Sequence, residues 1–70
     1  MTTARQDLIR LLTELSEEDT ELRMGQLIAN LATLALGAKV EAIWDAEDEE
    51  LAGAARKLLN HYQQRNTNVA

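Results

Sequence analysis

Apolar residues recur at three- and four-residue intervals through nearly the whole chain, a spacing that predicts helices rather than strands. The central segment 22–36, LRMGQLIANLATLAL, carries the pattern furthest. Stepped at roughly 100° per residue, it resolves into three faces. Met24, Leu27, Ile28, Leu31, Leu34 and Ala35 make a bulky face, and Gly25, Ala29 and Ala32 a face of small residues at i, i+4 and i+7. Arg23, Gln26, Asn30 and Thr33 gather into one polar stripe about 60–80° wide. A helix this apolar must be surrounded, and the rest of the chain supplies only two other predicted helices.

The first of these spans 3–15. Thr3 and Gln6 have the spacing of a capping box, in which each side chain accepts a backbone N–H at the helix start. Ala4, Leu8, Leu11, Leu12 and Leu15 share its inner stripe, and Arg5, Asp7, Arg10 and Glu14 face out. The segment 16–20, SEEDT, reads as the connection. Ser16 and Asp19 fit a second capping box, which would start the next helix at Glu17; capping by Asp19 or Thr20 would start it near Glu21. The central expectation is a second helix over about 20–36, antiparallel to and beside the first because the link is short.

Gly37 is placed to end that helix in a left-handed conformation. In 38–44, Val40, Ala42 and Trp44 alternate with Glu41 and Ile43, which predicts a short extended connector whose Val40, Ile43 and Trp44 cover one end of the core. Asp45, with Asp48 three positions on, is expected to cap a third helix over 46–65. Leu51, Ala54, Ala55, Leu58, Leu59 and Tyr62 form its apolar stripe, with Arg56, Lys57, Asn60 and Gln63 outward and a frayed, mobile tail at 66–70. The fold class expected is all-α: one domain over 1–70, a three-helix bundle with an extended connector, completed by dimerisation.

Composition supports this in two ways. Of the 46% hydrophobic residues, most are Leu and Ala; Phe and Pro are absent, and Trp44 and Tyr62 are the only aromatics, all of which favours helix. Seventy residues also lie near the lower limit for a self-sufficient core. Without cysteine there is no disulfide to assist, and with His61 as the only histidine there is no Cys/His zinc site. Burial against another chain is the remaining device.

Twelve acids against seven Lys and Arg give a net charge of −5, which disfavours non-specific contact with nucleic acid or an anionic membrane. No apolar run approaches the ~18–20 residues of a membrane span, and MTTARQDLIR lacks the apolar core of a signal peptide. A cytoplasmic protein is expected, and the absence of cysteine agrees.

Candidate chemistry is sparse. The run 45–50, DAEDEE, fails as a calcium loop, since counting from Asp45 the sixth residue is Glu50 and the twelfth Arg56, where glycine and an acid are needed. Acids there instead complement the dipole of the third helix, with Arg56, Lys57, His61 and Arg65 towards its other end. His61 has no orienting carboxylate in its sequence pattern, and Ser16, the only serine, falls in the connection. No catalytic residue, cofactor or metal ligand is expected. The stripe Arg23, Gln26 and Asn30 reads either as a solvated edge or as a recognition face or dimer seam; Gly25, Ala29 and Ala32 admit a close helix neighbour from this chain or from a second one.

R-M-G-Q-L-I-A-N at 23–30, followed by W-D-A-E-D-E-E-L at 44–51, resembles a class of small bacterial helical proteins. In these an R-x-G-Q-L-x-x-N helix precedes a short aromatic segment and an E-D-x-E-L helix start. The resemblance implies a bacterial cytoplasmic protein and carries no activity and no catalytic residues with it. The function expected is a non-enzymatic helical interaction module that forms a homodimer. The alternative, motivated by the acidic clusters at 17–21 and 45–50, is an acidic regulator (antitoxin, immunity protein or nucleic-acid mimic) of a basic protein partner.

Overall fold

The structure, a computed structural model, describes residues 3–67, with side chains to 64. It is all-helical over these residues, with α1 at Ala4–Glu18, α2 at Met24–Leu36, α3 at Ala42–Asp45 and α4 at Asp48–Thr67. Of the tail expected at 66–70, residues 66 and 67 continue α4, and 68–70 lie outside the described residues.

α1 begins as its sequence predicts: the Gln6 N–H donates to Thr3 Oγ1 at 3.1 Å and the Thr3 N–H to Gln6 Oε1 at 3.0 Å. It ends later than expected, at Glu18 rather than 15. Ser16 is not a cap. Its hydroxyl donates back to the Leu12 carbonyl at 2.7 Å, the bond a serine makes when the helix continues past it. Helix 2 correspondingly starts at Met24, not at 20. An Arg23 side chain has no acceptor, so the cap comes from Gln26, whose Oε1 accepts the Arg23 N–H at 2.9 Å. Leu22 stays outside the helix and packs against the core.

The expected pairing of the first two helices is replaced by a different arrangement. α4 packs most extensively on α1 and next on α2, while the α1 and α2 backbones scarcely approach each other. α1 and α4 run parallel: Arg5 meets Asp48 near their starts, and Asp19 meets Tyr62 towards their ends. α2 returns antiparallel, bringing Leu34 and Ala35 beside Gly53, Ala54 and Lys57 of α4. The reason lies in side-chain size. Ala52, Ala54 and Ala55, all buried, give α4 a thin inner face, so two leucine-bearing helices can close on it from either side. Leu8, Leu11 and Leu15 from α1 and Leu27 and Leu31 from α2 complete one core with Leu59.

Three further expectations are corrected. Gly37 does end α2 with positive φ, but at φ +91° and ψ 171° it lies in the extended mirror region that only glycine occupies readily, not in the left-handed helical region. The connector is not extended. Within it the Ala42 N–H reaches Lys39 O, Trp44 and Asp45 both bond Glu41 O, and Ala46 bonds Ala42 O. A lone extended segment would leave these groups without partners, whereas a helical turn satisfies them locally. Finally, Asp45 closes α3 instead of capping the last helix. Glu47 takes that place, its N–H donating to Glu50 Oε1 at 2.9 Å and its carbonyl accepting from Leu51.

Candidate interaction surface

The residues singled out on the central helix fall into different environments. Arg23 is the N-cap of α2 and exposed, Gln26 closes that cap, and Asn30 and Thr33 are exposed further along. Gly25 and Ala29 are also exposed, while Ala32 is buried, so the small-residue face is divided between surface and interior. A Cβ built on Gly25 would meet nothing within 4 Å, which removes close intrachain packing as the reason for glycine there. Around the helix the buried arc runs from Leu27 and Leu31 to Ala32, and the polar stripe lies opposite it.

A second surface was not foreseen. Val40, Ile43 and Trp44, expected to close one end of the core, are instead 95%, 51% and 88% exposed. The buried residue of this segment is the small one between them, Ala42, and α3 packs on α2. In a one-turn helix only one direction can face inward. Ala42 takes it, and its bulky neighbours are turned out. A signal was legible: the three apolar residues are interleaved with Glu41, Asp45 and Glu47, which have no place in a core.

Charge is distributed as unevenly as hydrophobicity. The segment 39–50 holds Lys39 and six acids, a net −5 that equals the charge of the whole chain, leaving the remaining residues balanced. Elsewhere Asp7, Glu14 and Asp19 have partners. Arg56 reaches Asp7 at 3.2 Å, Arg10 reaches Glu14 at 2.7 Å, and the Tyr62 hydroxyl donates to Asp19 Oδ2 at 3.2 Å. Within the acidic segment Arg5 binds Asp48 at 2.9 Å, and Glu41, Asp45, Glu47 and Glu49 stay exposed. The Arg5–Asp48 and Arg56–Asp7 bridges tie α1 to α4, and Arg10–Glu14 lies within α1; as exposed pairs each contributes under about 1 kcal/mol.

Two open grooves flank α4. One, of about 370 Å³, is lined by Ala4, Asp7, Glu49, Ala52 and Arg56, and the other, of about 200 Å³, by Leu34, Ala35, Gly53, Ala54 and acids and Lys57 at its rim. The Arg56–Asp7 pair occupies the wall of the first, so its charges already satisfy each other. His61 is exposed on α4. Among the described residues no group of three or more His, Asp or Glu side chains is placed to share a metal ion, and no helix is long and apolar enough to cross a membrane.

The chain matches no protein-family model, no curated protein and no solved structure.

Proposed function

We propose that this chain is a small non-enzymatic helical interaction module that works as a homodimer, with α2 contributing both to the core and to the contact between copies. The observation that carries the reading is how much bulky apolar surface so small a fold leaves in water. On α2 itself Met24 and Leu34 are 49% and 52% exposed, and α1 adds an exposed Ile9. Fully burying one such side chain is worth about 1.5–3 kcal/mol, a large share of the stability a 70-residue domain commands. Gly25 and Ala29, exposed and without neighbours within the chain at the glycine, leave room for a second backbone to approach beside Arg23, Gln26 and Asn30.

Light scattering after size exclusion tests the proposal. The expected mass is twice the 7.8 kDa of one chain, and a clean monomer at tens of micromolar would refute self-association. Substituting Leu34→Ser should reduce the dimer fraction with little change in helicity, since Leu34 is half in water already.

A further inference from the structure

We infer that the knuckle formed by Val40, Ile43 and Trp44 docks a basic amphipathic helix of another protein, with an apolar stripe flanked by Lys or Arg. The inference rests on the interaction-module reading and assigns this surface a partner other than a second copy. Three observations lead there. Ile43 and Trp44 stand on α3, which is closed by its own backbone hydrogen bonds, packs on α2 and buries Ala42, and Val40 lies in the turn just before it. Trp44 stands 88% exposed, and tryptophan anchors are over-represented among the residues that dominate protein interfaces. Glu41, Asp45, Glu47 and Glu49 neighbour it in sequence, all exposed, in the segment that holds the chain's entire net charge.

That charge decides the occupant. A symmetric contact between two copies through this face would set the exposed Glu41, Asp45, Glu47 and Glu49 of one copy against those of the other, because a two-fold interface meets itself. An off-axis contact would need a basic patch elsewhere on the chain. Among the described side chains Arg5, Arg10 and Arg56 are each engaged by an acid, and Arg23 and Lys57 stand on different helices. Anionic membranes and nucleic acid are repelled by the same field. A helix with leucines on one side and lysines along its flanks satisfies both halves of the surface, the apolar knuckle and its acidic neighbours.

The test uses the full chain and a labelled leucine–lysine amphipathic helical peptide, with a leucine–glutamate peptide of the same pattern as control. Trp44 is the only tryptophan, so its emission reports the site directly. Expected are a blue shift of Trp44 emission on adding the basic peptide and an affinity that falls about tenfold or more from low to physiological salt. Trp44→Ala and Val40→Ser, at positions that pack against nothing in the core, should each weaken peptide anisotropy binding about tenfold with unchanged circular dichroism. The proposal is overturned by no binding, by equal binding of the acidic peptide, by unaltered affinity in both variants, or by a Trp44 blue shift that grows with protein concentration alone. That last result would make the knuckle a self-interface. A monomeric mass in light scattering would refute homodimerisation and leave this test standing.

Discussion

Gly53 sits well inside α4, half-buried, and a Cβ built on it meets no heavy atom within 4 Å. Glycine in a helix interior costs about 0.8–1.0 kcal/mol relative to alanine, because it gives up more backbone freedom on folding. Gly53→Ala recovers that cost. The added methyl would enter open space at the groove beside Leu34 and Ala35, so no neighbour must give way. The expected gain is about 1 kcal/mol, or a rise in Tm of about 4–8 °C for a domain of this size. Far-UV circular dichroism melts at matched protein concentration measure it, the matching being needed because association shifts Tm. Gly37→Ala is the contrast. At φ +91° and ψ 171° no side chain is comfortable, so although open space surrounds it the substitution should destabilise by about 1–3 kcal/mol. If Gly53→Ala left Tm unchanged or lowered it, the helix-propensity argument would fail, and a close neighbour supplied by another chain would become the explanation for glycine there.

Two other substitutions probe the core and its edge. Leu31→Ala removes a side chain 1% exposed and should cost about 2–5 kcal/mol, comparable with the whole stability of so small a domain; urea melts should show a chain largely unfolded at 37 °C, and a loss under about 1 kcal/mol would contradict the assigned core. Tyr62→Phe deletes the hydroxyl that donates to Asp19 across the α1–α4 contact, with an expected loss of about 0.5–1.5 kcal/mol by the same assay and a smaller one in an Asp19→Ala background.

Much of the fold was legible because it is written in local terms. Thr3 and Gln6 form their reciprocal cap within one turn, and Leu8, Leu11 and Leu15 are buried as their spacing predicts. What misled was also local. Ser16 and Asp19 have capping-box spacing, yet Ser16 bonds the turn behind it and α1 continues to Glu18. Asp45 has the same spacing to Asp48, yet Glu47 and Glu50 make the cap. A spacing rule names candidates, and where several acids and hydroxyls crowd one boundary the packing of the flanking helices selects among them.

Partnerships between elements were less legible. The short link between α1 and α2 argued for direct pairing, but link length limits only how far apart two helix ends lie. Which helix fills the middle depends on side-chain size on all three, and the alanines of α4 took that position. The exposed knuckle follows the same rule: hydrophobicity marks Val40, Ile43 and Trp44 for burial, but the small Ala42 takes the inward position.

By itself, then, the sequence determined the helical class, the position of Gly37 as a stop, the leucines that form the core and the accumulation of charge over 39–50, because each follows from the conformational preference or ionisation of nearby residues. Only the tertiary structure decided that α4 would separate α1 from α2, that Ala32 would be buried while Gly25 and Ala29 faced out, and that Ala42 would turn inward and leave Trp44 in water. Those outcomes are set by competition among residues distant in sequence for one small interior, where the side chains that fit closely exclude the others.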